Sequence, residues 1–306
     1  MITVLLASYN GEKYIGQQLD SVLGQTVEDL RIVISDDVSS DRTREIIEEY
    51  QIRFPDKVTS LEVTKPSGGA AANFFRLLSS VSDDYVMLCD QDDIWLPDKV
   101  EKTLERMKEM ENRYGKDKPI LVHTDLSITD SEGTILHQSM AKYQKIASDH
   151  NSLNHYLVEN NITGNTVMIN RAFTGFFTYI PEECAMHDWW LGLLASSFGE
   201  IGYVNQPLVL YRQHGNNELG AKSEAEQYAR RLRSDNGVRE NYRKMFKQAE
   251  LFLAHYRDIL SKEQMDLLEH FLEIPHLNRF RKIKTIWKYR LFKSTFIRTL
   301  GQMLFI

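Results

Sequence analysis

The stretch from residue 85 to 98, Tyr-Val-Met-Leu-Cys-Asp-Gln-Asp-Asp-Ile-Trp-Leu-Pro-Asp, most limits what this chain can fold into. Five apolar residues of strand length are followed at once by three carboxylates, Asp90, Asp92 and Asp93. Negative charge at the carboxyl end of a buried strand is typical of ligand sites in open α/β sheets. Neighbouring acids repel one another without a cation, so the stretch predicts a divalent-metal and diphosphate site. A solvated acidic turn before a helix starting at Pro97 is the alternative.

Strand-like and helix-like segments alternate over the first 125 residues. The predicted strands are 2–7, 30–35, 58–63 and 85–89, and the predicted helices between them are 12–25, one ending at residue 50, and 70–80. Short links between such segments predict an α/β fold with a Rossmann-like, mostly parallel central sheet flanked by helices.

Polar residues follow the predicted strands at their carboxyl ends. In a parallel sheet these ends share one edge, so Tyr9, Asp37 and Asp92 are expected to converge on one crevice. A pyrimidine could lie against Tyr9, while Asp37 accepts a hydrogen bond from its ring N–H. A partly buried tyrosine and a helix-start aspartate are the alternatives.

After the fourth strand we predict a charged helix at 98–114, a strand at 120–124, a hairpin at 127–139 and a strand at 167–170. Further candidate site residues lie before and after this last strand. The polar loop at 160–166 could line an acceptor pocket or be an ordinary loop. Asp188 begins a helix beside Trp189 and Trp190, where an apolar setting would raise its pKa and suit it to accept a proton. Helix capping by Asp188 and core packing by the tryptophans is the alternative. Arg212 and His214, after strands near 203–211, could meet phosphate or a metal.

Four motifs together resemble glycosyltransferase family 2, over roughly residues 1 to 215. They are Ala7-Ser8-Tyr9-Asn10, Asp36-Asp37 with Ser39-Ser40-Asp41-Arg42-Thr43, Asp90-Gln91-Asp92-Asp93-Ile94-Trp95, and His187-Asp188. The resemblance implies the nucleotide-sugar-binding GT-A fold. The loop from residue 211 to 217 looks like that of bacterial rhamnosyltransferase-like members, and Val38 stands where many members have glycine.

The resemblance also implies roles for individual residues. Asp92 would bind Mg²⁺ or Mn²⁺, and Asp188 would be the general base of an inverting transfer. His214 is the second candidate metal ligand, from its place in the loop after the last strand. The implied nucleotide-sugar contacts are Ser8, Tyr9, Asn10, Glu12, Asp37, Asn73, Asp90 and Gln91. The candidate acceptor or sugar contacts are Asp93, Trp95, Thr163, Gly164, Asn165, Trp189, Trp190 and Arg212.

The last part of the chain has a different pattern. We predict a catalytic domain at 1–217, with a nucleotide-sugar half to about 125 and an acceptor half at 126–217, and a helical region at 218–306 with helices at 221–233, 238–260, 262–272 and 279–304. After Glu273 there is no acid, while eight residues are basic: Arg279, Arg281, Lys282, Lys284, Lys288, Arg290, Lys293 and Arg298. An apolar stripe along the last helix, Tyr289, Phe292, Phe296, Leu300 and Met303, suits an anionic membrane, the catalytic domain or a second subunit of a homodimer.

The sequence therefore predicts a metal-dependent inverting glycosyltransferase of bacterial surface polysaccharide synthesis. Its expected donor is dTDP-rhamnose or a UDP-hexose, its acceptor a glycan or lipid-linked glycan, and nucleic acid is not among its expected partners. Only two cysteines occur, which favours the reducing cytoplasm, with a peripheral position on the inner membrane face left open. A nucleotidyltransferase and a non-catalytic nucleotide- or glycan-binding scaffold remain as alternative functions.

Overall fold

The computed structural model describes residues 1–181, 183–214 and 235–305. They form two compact units, and each is built from more than one stretch of chain. The first unit contains the described residues of 1–140, 162–180 and 199–221, and the second those of 141–161, 181–198 and 222–306. Residue 217 lies outside the described residues, and the predicted division there stays a prediction.

The first unit contains one nine-stranded sheet. Its strands are β1 Ile2–Ser8, β2 Leu30–Asp36, β3 Val58–Ser60, β4 Tyr85–Asp90, β5 Ile94–Trp95, β6 Ile120–Thr129, β7 Ile135–His137, β8 Met168–Asn170 and β9 Glu200–Arg212. The strand order is β3-β2-β1-β4-β8-β6-β9-β5, with β7 paired to β6. The long ladders between β1, β2 and β4 and between β6 and β9 are parallel, and β8 is antiparallel to both of its neighbours.

The helices of this unit are α1 Ile15–Leu23, α2 Thr43–Arg53, α3 Ala70–Ser79 and α4 Lys99–Tyr114. The next helix, α5 Met140–Gln144, has its first residue in the first unit and the others in the second. All seven residues of β1 are buried, as a central strand covered on both faces requires. In α1, Ile15, Leu19 and Val22 recur at helical spacing and are buried. The predicted α/β class with a mostly parallel sheet flanked by helices is confirmed.

Two predicted strands near residue 203 and residues 207–211 form one strand, β9. It follows β6 in parallel and changes register at two points near Asp125, so the break that the sequence suggests is an irregularity within a single strand. The predicted hairpin is confirmed by the antiparallel pairing of β6 and β7.

The second unit is helical and has an aromatic core. Its further helices are α6 Leu153–Tyr156, α7 His187–Phe198, α8 Asp235–Tyr256, α9 Lys262–Glu273, α10 Arg279–Lys288 and α11 Phe296–Phe305. The rings of Trp190 and Phe198 lie 5.5 and 5.9 Å from the ring of Phe252. The predicted helix at 221–233 lies outside the described residues.

The prediction of one helix over 279–304 is wrong, because α10 ends at Lys288. Arg290 adopts a positive φ of 51°, and Leu291 N donates to Ile286 O at 3.0 Å while Arg290 N donates to Trp287 O at 3.3 Å. These two bonds form the C-terminal motif that usually has glycine at the position of Arg290. Tyr289 and Phe292 therefore lie in a connection and not on a common helical stripe. None of the helices in the described part of the chain combines the length and the apolar character that a membrane span requires.

Candidate active site

The carboxyl ends of β1, β2 and β4 lie side by side in the first unit. Ser8 pairs with Asp36 and Ala7 with Asp90 in the parallel ladders, and Asp37 N donates to Ser8 O at 2.8 Å. The polar residues that follow these strands therefore share one edge of the sheet, as the sequence predicts.

Gln91 fixes the loop that carries Tyr9. Its side-chain amide accepts from Tyr9 N and donates to Tyr9 O, both at 2.9 Å. A Cβ atom on Gly11 would lie 2.1 Å from Gln91 Oε1, so this contact requires glycine at residue 11. The side chain of Tyr9 is 58% exposed, which leaves its ring accessible to a base. Gln91, expected near the ribose and diphosphate, is engaged in holding this loop.

Three other predicted nucleotide contacts join the loops after β1 and β2. Ser8 Oγ donates to Asp36 Oδ2 at 3.0 Å. Asn10 Oδ1 accepts from Ser40 N at 2.9 Å, and Glu12 Oε2 accepts from Arg42 N at 3.0 Å. In this structure these polar atoms stabilise the shape of the site.

Asp37 is buried and bound by two residues that the sequence analysis missed. Its Oδ1 accepts from Ser67 N at 2.6 Å and Arg76 Nη1 at 3.1 Å, and its Oδ2 accepts from Ser67 Oγ at 2.8 Å. Asn73, one turn before Arg76 on α3, exchanges hydrogen bonds with Ser35. The spacing of three residues places Asn73 and Arg76 on one helix face, a signal that would have identified Arg76.

Asp92 and His214, the two candidate metal ligands, lie within hydrogen-bond distance of each other. Asp92 Oδ2 lies 2.8 Å from His214 Nε2, and both side chains are partly exposed. The imidazole stacks on the ring of Tyr14 with centroids 5.1 Å apart. The fold thus brings together two predicted metal ligands that lie 122 residues apart in the sequence. Asp90, whose side chain is half-buried, lies two residues before Asp92 at the end of β4.

A buried network supports this pair. Arg212 N donates to Asp93 Oδ1 and Arg212 Nε donates to the backbone oxygen of Asp92, both at 3.0 Å. The other oxygen of Asp93 accepts from Asn165 Nδ2, and Arg212 Nη2 donates to Gln17 Oε1 at 2.6 Å. Burial raises the pKa of Asp93 well above its usual value, and the charges of Asp92 and Asp90 raise it further. The network fastens the end of β9, two residues before His214, to the acidic loop.

Asp93, Asn165, Arg212 and Trp95, which the sequence analysis expects to contact an acceptor or a sugar, are all buried, and their contact with a sugar stays a prediction. Asp93 and Asn165 have no exposed surface, and Arg212 and Trp95 have 4% and 2%. Their polar groups and rings are directed into the unit, where they position other residues. Gly164 is also buried and opens a turn of 3₁₀-helix, while the preceding Thr163 is half-buried.

Asp188 lies in the first turn of α7 in the second unit. Its Oδ1 accepts from Asn160 Nδ2 at 3.0 Å and from Trp189 N at 2.6 Å. Trp189 Nε1 in turn donates to Tyr156 O at 2.6 Å. Burial, and then the charge of Asp188, raise the pKa of the Cys184 thiol to about 12. Trp190 is only 1% exposed and packs in the aromatic core, and its contact with a sugar stays a prediction.

The side chains of Asp92 and His214 fit a divalent ion that takes its remaining ligands from a substrate and from water. Within residues 1–181, 183–214 and 235–305, no group of three or more His, Cys, Asp or Glu side chains is arranged to hold a metal. Asp92 and His214 supply one carboxylate and one imidazole. Mg²⁺ in nucleotide sites is usually held by one or two carboxylates together with phosphate oxygens and water, so two protein ligands are sufficient.

Comparison with known proteins identifies the family. The profile described as "Glycosyl transferase family 2" matches residues 3–115. The "dTDP-rhamnosyl transferase RfbG" of Shigella flexneri is 31% identical over 227 residues, which cover 71% of this chain and 74% of the relative. The chain belongs to glycosyltransferase family 2. As a member of that family it is a glycosyltransferase.

A second relative and a solved structure are also similar to this chain. TuaG of Bacillus subtilis (strain 168), whose name refers to a glycosyltransferase of teichuronic acid biosynthesis, is 31% identical over 69% of this chain and 79% of its own. The crystal structure of S. aureus TarS 1-349 in complex with UDP-GlcNAc superposes with a TM-score of 0.59 at 18% identity, covering 90% of this chain and 72% of that chain. At this identity the superposition shows the fold alone, and the fold is GT-A.

Proposed function

We propose that this glycosyltransferase is metal-dependent and inverting, and that it transfers rhamnose from dTDP-rhamnose to a glycan or lipid-linked acceptor. The observation that carries the proposal is the 2.8 Å pairing of Asp92 and His214 beside the strand ends that bear Tyr9 and Asp37. The rhamnosyl donor is supported by the name of the 31% identical Shigella relative. A UDP-hexose is the second donor to test, since Asp37 would accept from thymine and uracil alike.

The first unit would bind the nucleotide and its diphosphate. The exposed ring of Tyr9 would stack on the base, and Asp37 Oδ2, which accepts one hydrogen bond from Ser67, keeps acceptor capacity for the ring N–H. Asp92 and His214 would hold Mg²⁺ or Mn²⁺, which when bound offsets the negative charge of the departing nucleoside diphosphate. Asp90 would lie by the ribose and diphosphate, as the family resemblance implies.

Asp188 is proposed as the general base. The acceptor hydroxyl oxygen bonds to the anomeric carbon as the bond from that carbon to the diphosphate oxygen breaks, and Asp188 takes the hydroxyl proton. One displacement from the opposite face inverts the configuration. The hydrogen bonds from Asn160 and Trp189 to one carboxylate oxygen fix the orientation of Asp188, which supports such a role.

The acceptor proposal is a cell-surface polysaccharide or its lipid-linked precursor. It is supported by the name of TuaG, which refers to teichuronic acid biosynthesis, a second relative beside the rhamnosyl transferase. The half-buried Trp189 would remain as an aromatic contact for a sugar, since its indole N–H already bonds to protein.

The test is release of nucleoside diphosphate from a panel of dTDP- and UDP-sugars, with bacterial glycans as acceptors. We expect Asp92→Ala to lower kcat/KM by about 100-fold or more, because it removes a metal ligand. Asp188→Asn should lower kcat by about 10²–10⁴-fold. The exposed Asp117→Ala, on the loop after α4, is the matched control and should retain full activity.

The same assay separates the other functions. Pyrophosphate release from a nucleoside triphosphate would show a nucleotidyltransferase instead. Binding of nucleotide without turnover would show a scaffold. Calorimetric titration of Mn²⁺ with dTDP present supplies a readout besides activity, since His214→Ala should weaken metal binding in that titration. Full kcat in Asp188→Asn would remove Asp188 from the proposal.

A further inference from the structure

Helix α11 buries its polar side and exposes its apolar side, the reverse of an ordinary surface helix. Its buried positions are mostly polar or small, Arg298, Thr299, Gly301 and Gln302. Its exposed positions are apolar, Phe296, Ile297, Leu300 and Leu304. Their spacing places these four side chains on one face, which we name the α11 face. An apolar helical face that points away from the protein indicates an apolar partner.

Charged and polar contacts within the second unit hold α11 in this orientation. Arg298 Nη1 donates to the buried Glu159 Oε1 at 3.0 Å, and Ser294 N donates to Glu159 Oε2 at 2.5 Å. Burial alone would raise the pKa of Glu159, but the charges of Lys293 and Arg298 hold it below its usual value. Gln302 Nε2 donates to Leu291 O at 3.3 Å. Rotating the helix to bury its apolar face would break these buried bonds, so the exposure is built into the fold.

The chain next to the α11 face is uniformly basic. Seven cations lie on α10 and in the connection to α11, Arg279, Arg281, Lys282, Lys284, Lys288, Arg290 and Lys293, and no acid follows Glu273. Helix α10 also exposes Phe280 and Trp287, seven residues apart and so on one side of the helix. Aromatic and basic residues in this combination are typical of a protein surface at the boundary between lipid head groups and acyl chains.

We propose that the α11 face docks on an anionic phospholipid membrane, with Phe296, Ile297, Leu300 and Leu304 entering the head-group boundary. The basic residues of α10 and the connection would meet the lipid phosphates. A second copy of the chain fits the same face less well, because symmetric pairing would bring two basic segments together without acids between residues 274 and 305 to compensate them. The proposal does not depend on which sugar the enzyme transfers.

Sedimentation of the full chain with vesicles tests the proposal. Wild type should bind vesicles of equal phosphatidylglycerol and phosphatidylcholine, and should bind pure phosphatidylcholine weakly. Phe296→Ser with Leu300→Ser should reduce binding at least tenfold, because it makes the inserted face polar. Lys284→Gln with Lys288→Gln should reduce binding about fivefold for each charge removed, and high salt should have a similar effect.

Matched control variants distinguish binding through the α11 face and the basic residues from non-specific adsorption to vesicles. Ile52→Ser with Ile259→Ser removes two apolar side chains that are also exposed, and Lys65→Gln with Lys262→Gln removes two exposed charges elsewhere; both should bind as wild type does. All variants change exposed residues and should keep the melting temperature of wild type. Equal sedimentation of the Phe296/Leu300 variant and wild type would overturn the proposal. The proposal would also be overturned if wild type and this variant both failed to bind vesicles, and if analytical ultracentrifugation showed a dimer of wild type that the Phe296/Leu300 variant does not form.

Discussion

Val38 holds a backbone conformation that is costly for a β-branched residue. Its φ is +65°, in the left-handed region that glycine adopts easily, and it lies between Asp37 and Ser39 at the candidate nucleotide site. The turn has a geometry that suits glycine, although the residue is valine. Such a conformation is held in place by its surroundings, here the bonds from Ser39 to Asp36.

We predict that Val38→Gly stabilises the protein by about 0.5–2 kcal/mol, because relief of about 1–3 kcal/mol of strain exceeds the roughly 0.5–1 kcal/mol entropic cost of glycine. Urea unfolding measures the change. Val38→Ala, which keeps a Cβ atom, should gain less. Val63→Gly is the matched control: Val63 is not among the residues with positive φ, so there the change should destabilise. Equal effects at the two positions would show that Val38 is not strained.

The sequence predicts single residues well where their position follows from a local pattern. Tyr9, Asp37 and Asp90 are placed at one sheet edge because each directly follows an apolar run that defines a strand. Their bonding partners are harder to predict, since Ser67 and Arg76 reach Asp37 from 30 and 39 residues away. The same limit applies to Trp95 and Trp190, whose burial depends on tertiary packing that an aromatic side chain alone does not reveal.

Helix α4 begins with a lysine in an unfavourable position. Lys99 is fully buried, its Nζ lies 3.4 Å from the centroid of the Trp95 ring, and this nitrogen has no hydrogen-bond partner among the described residues. Burial lowers the pKa of Lys99 to about 7, although Cys89 and Asp93 act in the opposite direction. The positive end of the helix dipole also disfavours a cation at this terminus.

Lys99→Met should therefore stabilise the protein at pH 7. Between pH 7 and the unfolded pKa of 10.5, the unfolded chain binds a proton that the folded chain does not. Wild-type stability consequently rises with pH relative to the variant, by about 1.4 kcal/mol per pH unit. We expect an advantage for Lys99→Met of the order of 4 kcal/mol near pH 7 that shrinks towards pH 10, measured by urea unfolding. An advantage that does not change with pH would contradict a buried neutral lysine.

Whole elements are predicted best where start and stop signals agree with the periodicity. The first four strands and the helices between them are confirmed with end shifts of a few residues. The end of α10 was missed because its stop residue is Arg290, where glycine would have given a signal, and because apolar periodicity continues past it. Leu291 and Ile286, the two positions that usually make an apolar contact in this motif, are both fully buried, which becomes visible only in three dimensions.

At the scale of the whole molecule, the two units are interleaved along the chain. The second unit takes in the described residues of 141–161 and 181–198 as well as those after residue 221. Its helix α7, which carries Asp188, packs Trp190 and Phe198 on Phe252 of α8, and Trp190 also lies 6.4 Å from Tyr256. The core around α7 is therefore completed by residues that follow the predicted catalytic domain.

This arrangement predicts that a chain ending at residue 217 does not fold as an independent catalytic domain. Exposing Trp190, which is buried, and Phe198, which is half-buried, would lower the free energy of unfolding by up to about 3 kcal/mol for each side chain, a large part of a typical domain stability of about 5–15 kcal/mol. We expect the shortened chain to be cleaved rapidly by protease around residues 181–198 and to lose nucleoside diphosphate release. Phe252→Ala in the full chain is the milder version of the same change and should cost about 3–5 kcal/mol. A 1–217 protein with a cooperative unfolding transition and full activity would show instead that the catalytic unit needs none of the helices after α7, and the division predicted from the sequence would then hold.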